Sequence, residues 1–560
     1  MIRRTTDEKT AIESVEAPVG NMTVMKVLIL TSLAMSAFGL SPLSGTAQAA
    51  PHEEASAQCR SLEVVDFAQI LDAPTQITET KLLDASGNTP GYCRVSGYVS
   101  PNVGLVLALP STHWNGKFIE LGCGAFCGST EYISSCEDPL RRGYACIISD
   151  MGHKSTGNQA LWAYNNLQAE IDHAYRSAHV TALAGKAIVE RYYGQAPAKA
   201  YFIGTSTGGR QAMLEAQRFP WDFDGIVAGV PSLSVTGIHL NLLWDNRAFT
   251  DQSGEPLFTQ SDLDVLHRAV VKKCDLNDGV QDGLIGDPRT CGFDPSTLLC
   301  TGTRQTECLT GKQVEAVQKI YGGAVTSKGE PIYMPAALKG SEATWLDFFG
   351  RGTYNFVREE FRYSAFQPNA GPAWKPEDFD FDRNYKRMGI AEGLSAAVNP
   401  DLRQFKALGG KLIMWAGWSD AGGMPLHTVD YYETAERTSG GRAATQEFLR
   451  LFMLPGVGHG WGEGAFAVDW LTYLDAWVEQ GRAPDKVISS HVKIEDLTKE
   501  VSRGDQAAAV EMERRTQFPL DVAMVEFSRP VYPYPTLARY LGDGDPKDAA
   551  SFGPVEPYRH

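Results

Sequence analysis

A serine flanked by glycines lies between two segments with different hydrophobic patterns. Residues 199–203 form an apolar run typical of a buried strand, G-T-S-T-G follows at 204–208, and residues 209–216 are predicted to be a helix. A G-x-S-x-G turn in this context is a nucleophile elbow, whose sharp turn lifts the serine hydroxyl above the sheet. The pattern predicts covalent catalysis by Ser206; a plain glycine turn is the alternative.

Two polar residues farther along the chain could activate this serine. Asp420 follows an apolar strand pattern at 411–416, and His459 lies in a glycine-rich loop after a strand pattern at 449–454. The order serine, acid, histidine is that of α/β hydrolases. We therefore predict that His459 takes the proton of Ser206 and that Asp420 fixes the imidazole tautomer. The alternatives are a helix N-cap for Asp420 and a backbone-bonded loop residue for His459.

An oxyanion would need two backbone N–H donors. Thr207, at the start of the predicted helix, can supply one of them. The second is expected in the loop E-L-G-C-G at 120–124, which follows an early strand. A glycine-rich turn at the end of that strand is the alternative.

Strand and helix patterns alternate on both sides of an irregular segment. Strands are predicted at 92–99, 105–109, 116–121, 145–149, 199–203, 411–416 and 449–454, and a helix at 468–480. Residues 232–405 lack this rhythm and hold four cysteines and many aromatic residues. The fold class is therefore α/β, with a parallel sheet, an α/β-hydrolase core at 50–231 and 406–560, and a large inserted lid at 232–405.

The N-terminus carries the pattern of a secretory signal peptide. Lys26 precedes an apolar run at 27–39, and A-Q-A follows at 47–49. The run is shorter than the roughly 20 residues of a membrane-spanning helix. We predict that residues 1–49 are a signal peptide, with a start that is possible at Met22 or Met25. Export to the periplasm or the medium, without membrane association after removal, would oxidise the ten cysteines.

The composition excludes several classes of partner. The 560 residues include 51 basic and 67 acidic side chains, for a net charge of −16. Such a chain repels nucleic acid and anionic lipid, so we expect neither as a partner. A small-molecule substrate is expected instead, and the sequence carries no signal for an oligomeric state.

Several motifs resemble those of one enzyme family. They are F-I-G-T-S-T-G-G-R at 202–210, R-F-P-W-D-F-D-G-I-V-A-G at 218–229, G-G-K-L-I-M-W-A-G-W-S-D at 409–420, D-Y-Y-E at 430–433 and L-P-G-V-G-H at 454–459. In this order they resemble the tannase/feruloyl esterase family over roughly residues 59–542. The resemblance implies a serine carboxylic-ester hydrolase for esters of aromatic acids. Feruloyl esterase is the first expectation, with tannase and terephthalate monoester hydrolase as alternatives.

The chain departs from the family at a pair of cysteines. The family usually has one cysteine directly before the nucleophile and one directly after the histidine, joined by a disulfide. Thr205 and Gly460 occupy these positions here. We therefore expect packing alone to hold Ser206 and His459 together. The family pattern also points to Cys123 as the second oxyanion donor, although Gly122 or Gly124 could serve.

An acidic loop follows Cys274. Three aspartates lie within eight residues, and they would repel one another unless solvated or bound to a hard cation. The loop is not an EF-hand, because Gly286 stands at the twelfth position from Asp275. The resemblance implies a structural calcium ion in the lid, with ligands from the side chains of Asp275, Asp278 and Asp282 and the carbonyls of Val280 and Leu284.

The resemblance also implies three disulfides. They are Cys59–Cys93, Cys274–Cys291 and Cys300–Cys308. The remaining cysteines could form two further bridges with three possible connectivities: Cys123, Cys127, Cys136 and Cys146.

Other residues could line a substrate pocket. Aromatic stripes usually lie in a core, but some members of this set should face Ser206 if the insertion is a lid: Trp345, Phe348, Phe349, Phe356, Phe361 and Phe366. Arg358 and Arg362 could contact a carboxylate or phenol, with surface charges as the stronger interpretation. His153 could approach the site but is better explained as structural.

Two other classes of function compete with the esterase. One is a non-catalytic, calcium-dependent binding module that kept the fold. The other is a different serine hydrolase, such as a peptidase or lipase. The combination of elbow glycines, Ser206, Asp420 and His459 argues against the binding module, whereas the fold alone does not decide the substrate.

Overall fold

A computed structural model describes residues 51–302, 307–494, 497–498, 511–512, 515–516 and 518–556. The predicted signal peptide lies outside these ranges. Within them, no helix combines the length and apolarity needed to cross a bilayer.

A mostly parallel sheet forms the centre of the described chain. Its strands are β1 (Thr75–Leu83), β2 (Tyr92–Val99), β3 (Val103–Pro110), β4 (Lys117–Leu121), β5 (Ala145–Ser149), β6 (Lys199–Thr205), β7 (Gly225–Gly229), β8 (Lys411–Gly417) and β9 (Leu449–Leu454). They lie in the order β1-β2-β3-β5-β4-β6-β7-β8-β9. Every strand predicted from the sequence is present in this sheet.

The expectation of a parallel sheet is wrong at one edge. β1, β2, β3 and β5 pair antiparallel in succession, and the pairs from β5 through β9 are parallel. The reason lies in the connections: residues 100–102 alone join β2 to β3. A parallel pair needs a crossover of about a dozen residues or more, so this short turn imposes a hairpin.

Helices cover the sheet and build the insertion between β7 and β8. Their bounds are α1 (Pro51–Arg60), α2 (Glu137–Arg141), α3 (Leu167–Ile171), α4 (Ser177–Tyr193), α5 (Thr207–Arg218), α6 (Val235–Phe249), α7 (Gln260–Cys274), α8 (Gly311–Gly322), α9 (Trp345–Phe349), α10 (Arg351–Tyr363), α11 (Gly389–Ser395), α12 (Arg403–Ala407), α13 (Pro425–Thr438), α14 (Arg442–Gln446) and α15 (Trp470–Gln480).

Two large hydrophobic clusters organise the packing. The first joins both faces of the sheet to α4, α5 and α15, with members such as Ile147, Phe202 and Leu474. The second is built from residues of the insertion, with Leu243 and Trp345 fully buried in it. The insertion therefore has a core of its own beside that of the sheet.

Four further strands follow the main sheet. β10 (Val487–Val492) pairs antiparallel with β11 (Val525–Val531), and β12 (Leu537–Tyr540) pairs antiparallel with β13 (Phe552–Val555). A side-chain ion pair joins this region to the insertion, since Arg529 Nη2 lies 2.6 Å from Asp282 Oδ2.

All ten cysteines lie in the described ranges, and all are paired. The structure contains the three bridges that the resemblance implies, Cys59–Cys93, Cys274–Cys291 and Cys300–Cys308. It selects Cys123–Cys127 and Cys136–Cys146 from the connectivities left open.

Candidate active site

Ser206 stands on a strained turn between β6 and α5. Its φ is +63°, in the region that favours glycine, and α5 begins at the next residue. A Cβ on Gly204 would lie 2.3 Å from the Gly208 carbonyl oxygen, and one on Gly208 would lie 3.0 Å from the carbonyl carbon of Gly122. The glycines of the predicted elbow are therefore required by backbone contact.

The three residues predicted as a triad meet at one end of the sheet. His459 Nε2 lies 2.9 Å from Ser206 Oγ, and His459 Nδ1 lies 2.8 Å from Asp420 Oδ2. Asp420 follows β8 and His459 follows β9, so the carboxyl ends of three parallel strands supply the set. This chain of hydrogen bonds can move a proton from the serine to the imidazole.

Asp420 is held by its own loop. The N–H groups of Gly422 and Gly423 donate to its Oδ1 at 2.9 and 2.7 Å, which leaves Oδ2 for His459. The carboxylate is almost fully buried. Its orientation is therefore set independently of the imidazole.

The imidazole of His459 is more basic than usual. Burial by itself would lower its pKa, but the charge of Asp420 and the hydrogen bond to it outweigh burial and raise the pKa of His459. A raised pKa favours acceptance of a proton from Ser206.

The structure excludes one of the candidate backbone donors to an oxyanion. The Gly122 N–H donates to the Ile203 carbonyl at 2.9 Å, so the sheet already uses it. A Cβ on Gly208 would lie 3.2 Å from the carbonyl oxygen of Cys123, which places this loop against the start of α5. Among the described residues, the N–H groups of Cys123, Gly124 and Thr207 have no hydrogen-bond acceptor, so Gly124 remains the alternative to Cys123. Both predicted donors are thus available beside Ser206.

The aromatic residues of the insertion divide into two groups. Four belong to its core, as the packing interpretation expects: Trp345, Phe349, Phe361 and Phe366. The ring of Phe348 lies 6.2 Å from that of His459, edge to face. Phe356 lies 4.2 Å from Phe126, which adjoins the oxyanion loop. Phe348 is therefore the member of the set that lies beside the predicted catalytic histidine.

Buried polar groups around Phe126 were not predicted from the sequence. Arg210 is fully buried on α5, and its guanidinium donates to the carbonyls of Ala174 and His173 at 3.2 Å. With Glu170 and Glu360 it lines a cavity of about 40 Å³. Burial raises the pKa of Glu170 to about 7. Its place one helical turn after Ser206 indicated that Arg210 lies near the site, but not that its guanidinium is buried.

His153 and the two arginines of α10 have mainly structural contacts. Nε2 of His153 lies 2.8 Å from the Phe126 carbonyl, and its ring stacks on Trp162. Burial lowers the pKa of His153 to about 4, so the ring is neutral. Arg362 donates to the Trp374 carbonyl at 3.1 Å. Nε of Arg358 is buried without a partner among the described residues, but the side chain as a whole is partly exposed, and its interpretation as a surface charge stays a prediction.

The acidic loop supplies oxygen donors, but the carboxylates of Asp275, Asp278 and Asp282 are not among the described side chains whose ligand atoms lie within 4.8 Å of one another. Asp275 Oδ1 accepts from the N–H groups of Asp282 and Gly283, and Asp282 pairs with Arg529. Burial, with the charges of Asp282 and Asp275, raises the pKa of Asp278 to about 7. Val280 and Leu284, whose carbonyls complete the expected set, are buried in the same loop. Three carboxylates beside one arginine suit a hard cation in charge and donor type, and the calcium site stays a prediction.

A different cluster brings metal-type ligands together. Among the described residues, His179, Glu215 and Asp222 have ligand atoms within 4.8 Å of one another. Lys186 lies 3.8 Å from Asp222 Oδ1, so a cation already compensates the carboxylates. Burial raises the pKa of Glu215 far above its ordinary value. Lys186 and a protonated Glu215 would both reduce the negative charge of this cluster.

Fold and site together define a class. A mostly parallel sheet with a serine elbow after β6, an acid after β8 and a histidine after β9 is an α/β-hydrolase fold of the esterase type. Residues 87–555 match the family model for tannase and feruloyl esterase. The chain belongs to the tannase and feruloyl esterase family and is an esterase.

Individual relatives cover most of the chain. It is 32% identical over 513 residues to an uncharacterized esterase of Xanthomonas campestris pv. campestris, covering 83% of this chain and 84% of the relative. It is 31% identical over 544 residues to mono(2-hydroxyethyl) terephthalate hydrolase of Piscinibacter sakaiensis, covering 84% and 85%. The crystal structure of feruloyl esterase B from Aspergillus oryzae superposes with a TM-score of 0.75 at 25% identity, covering 90% of this chain and 100% of that one.

Proposed function

We propose that this esterase is a serine carboxylic-ester hydrolase that cleaves esters of aromatic acids through an acyl-enzyme. The observation that carries the proposal is the chain of hydrogen bonds from Ser206 through His459 to Asp420, at 2.9 and 2.8 Å. Feruloyl esters are the proposed first substrate class.

The reaction follows from the roles of these three side chains. Ser206 Oγ attacks the ester carbonyl while His459 Nε2 takes its proton, and the imidazolium then protonates the departing alcohol. Water next gives a proton to His459 and attacks the acyl-enzyme, which releases the acid and restores Ser206. Asp420 stays ionised and holds the Nδ1–H tautomer throughout.

Two backbone donors would stabilise both tetrahedral intermediates. The N–H groups of Thr207 and Cys123 flank Ser206 and have no other acceptor among the described residues. Each donor of this kind contributes about 10²- to 10³-fold in rate.

An aromatic acyl group is proposed because aromatic side chains lie near the predicted site and because relatives of the chain act on such esters. Phe348 lies beside His459, and Phe356 packs on Phe126 near the oxyanion loop. Aromatic walls favour aromatic acids over long alkyl chains, which argues against a lipase. A terephthalate monoester is the second candidate, because the relative that bears this name is 31% identical and Arg358 holds a buried, unpaired Nε among the described residues.

The proposed calcium ion would have a structural role. The ligands are Asp275, Asp278 and Asp282 with the carbonyls of Val280 and Leu284. The ion would neutralise three carboxylates and order the acidic loop. Export is proposed as well, since five disulfides suit an oxidising compartment.

Initial rates on four esters would test the proposal. The substrates are methyl ferulate, methyl gallate, mono(2-hydroxyethyl) terephthalate and p-nitrophenyl butyrate. We expect the highest kcat/KM on methyl ferulate, and a loss of about 10⁶-fold in kcat in Ser206→Ala. Ser86→Ala, in the exposed turn after β1, is the matched control.

The outcomes separate the competing functions. Activity that survives Ser206→Ala would contradict the serine mechanism. A preference for the terephthalate ester would select the second candidate. A binding module would turn over none of the esters, and fluorophosphonate would label it equally with or without Ser206.

A further inference from the structure

The segment that carries His459 is unusually poor in side chains. Residues 456–464 read G-V-G-H-G-W-G-E-G, with glycine at every second position. Gly456, Gly460 and Gly462 have φ values of +66°, +106° and +152°, which glycine adopts without strain. Glycine also has the most backbone freedom to lose, so this segment keeps one conformation only where contacts restrain it.

Backbone contacts close the base of this loop. The Ser419 N–H donates to the Val457 carbonyl at 2.9 Å, and the Gly464 N–H donates to the Gly456 carbonyl at 2.9 Å. His491 Nδ1 lies 2.9 Å from the Gly464 carbonyl. These bonds fix where the loop leaves and rejoins the core.

Glu463 ties the loop to the inserted lid. Its Oε2 lies 3.1 Å from Nε2 of His267, on α7, and Nδ1 of the same ring lies 2.9 Å from Glu342 Oε2. Glu342 is fully buried, and its other oxygen accepts from the Gly340 N–H at 2.8 Å and from the Tyr321 hydroxyl. The imidazole of His267 is thus a bridge between a rigid carboxylate of the lid and a carboxylate of the loop.

The bridge is an ion pair at neutral pH. Burial acts to lower the pKa of His267, but hydrogen bonds to Glu342 and Glu463, together with their charges, raise it to about 10. The imidazolium can therefore donate from both nitrogens. The hydrogen bond to His267 in turn lowers the pKa of Glu463.

We propose that His267 and Glu463 are positioning residues that hold the 456–464 loop against the lid and keep His459 aligned with Ser206. The inference rests on the proposed serine mechanism. Glu463 follows His459 by four residues, and Trp461 is the sole non-glycine between them. A displacement of about 1 Å in a catalytic group can cost as much as 10²-fold in rate.

Alanine and glutamine variants separate positioning from general stability. We expect Glu463→Ala and His267→Ala each to lower kcat about tenfold with little change in KM. The double variant should lose no more than His267→Ala alone, because Glu463 acts through His267 and that variant already removes their contact. Glu463→Gln should recover most of the loss, since its amide can still hydrogen-bond to His267.

Two further readouts do not depend on the ester chosen. The rate constant for fluorophosphonate labelling of Ser206 should fall in parallel with kcat. Backbone hydrogen exchange in 456–464 should accelerate in Glu463→Ala and not in Glu463→Gln. Arg268→Ala, which removes an exposed ion pair with Glu307 from the same helix, is the matched control and should change none of these quantities.

The two proposals fail in different ways. Wild-type rates of turnover, labelling and exchange in both alanine variants would overturn the positioning role. Additive losses in the double variant, or a loss that glutamine does not recover, would overturn it as well. If the wild-type protein neither reacts with fluorophosphonate nor hydrolyses any of the esters, the serine mechanism is contradicted instead. Hydrogen exchange in residues 456–464 would then still test whether Glu463 and His267 restrain the loop.

Discussion

At the scale of single residues, Asp420 uses its two oxygens for different purposes. Oδ1 accepts from two glycine N–H groups of its own loop, and Oδ2 accepts from His459. The N-cap interpretation of Asp420 is wrong, because the next helix, α13, begins at Pro425 and has Met424 at its N-cap. The loop bonds hold the carboxylate while the other oxygen faces the imidazole.

This division predicts the effect of Asp420→Asn. The amide oxygen can keep the loop bonds, but the amide nitrogen then faces Nδ1 and favours the wrong tautomer. We expect kcat to fall by about 10⁴-fold with little change in the free energy of unfolding. A stopped-flow or steady-state kcat and a denaturant titration on the same preparation would check it, and a fall below tenfold would contradict the assigned role.

The same residue sets the pH dependence. His459 must be neutral to accept a proton, so kcat/KM rises as pH increases through its pKa. Because Asp420 raises that pKa, the acidic limb of the wild-type profile should lie above the ordinary value for histidine. In Asp420→Asn the limb should move to lower pH; a limb that stays in place would show that another group titrates.

At the scale of elements, the oxyanion loop is a strained segment closed by a disulfide. Ala125 and Cys127 have φ values of +51° and +60°, which cost non-glycine residues of order 1 kcal/mol or more each. The Cys123–Cys127 bridge spans four residues, whereas Cys59–Cys93 spans 34. The short bridge therefore shapes the loop more than it restricts the unfolded chain.

Removal of each bridge should separate activity from stability. By restricting the unfolded chain, the Cys123–Cys127 bridge should contribute about 2 kcal/mol to the free energy of unfolding, and the Cys59–Cys93 bridge about 4 kcal/mol. We expect the double variant Cys123→Ser with Cys127→Ser to lower kcat by about 10-fold or more. The upper reference is the loss of one oxyanion donor, which costs about 10²-fold or more in kcat. Cys59→Ser with Cys93→Ser should lower stability more and leave kcat unchanged; the reverse pattern would contradict the assignment.

At the scale of the whole molecule, the acidic loop joins the insertion between β7 and β8 to the C-terminal strands. Asp275 lies at the end of α7, and Asp282 pairs with Arg529 of β11. Burial and the negative charges of Asp282 and Asp275 raise the pKa of Asp278. A bound cation would relieve all three carboxylates at once and so stabilise the contact between these regions.

Calcium should therefore raise the melting temperature, and a chelator should lower it. A free calcium concentration of 100 times the dissociation constant should raise the free energy of unfolding by about 2.7 kcal/mol. Without metal, the pKa of Asp278 rises from 3.8 in the unfolded chain to about 7, so its contribution to stability is lost as pH rises through this window. Scanning calorimetry at pH 5 and 7.5 with and without calcium would measure both effects.

Asp278→Asn is the control for this experiment. Because asparagine does not titrate, the melting temperature of this variant in chelator should depend less on pH than that of the wild type. Calcium should also raise the melting temperature of the variant by less. Equal melting temperatures of the wild type with calcium and with chelator would contradict the proposed site.

Much of the site was accessible to sequence reasoning because its signals are local. The elbow glycines, the acid after one strand and the histidine after the next each lie within a few residues of a recognisable apolar run. The antiparallel direction of the strands at one edge was missed because direction depends on connection length, and β1 was missed because it carries no continuous apolar run. Arg210 was missed as a buried charge, since nothing beside it in the chain indicates that its guanidinium donates to the carbonyls of His173 and Ala174.

The sequence by itself determined which segments carry the chemistry and in which order, because turn glycines and strand patterns act over short distances. The tertiary structure alone decided that Ser206 and His459, 253 residues apart, lie within a hydrogen bond of each other. It also decided the partners of Cys123 and Cys136, the burial of Arg210 and the bridge from His267 to Glu463. These contacts join residues from distant segments, and packing of the whole chain, rather than any local preference, brings them together.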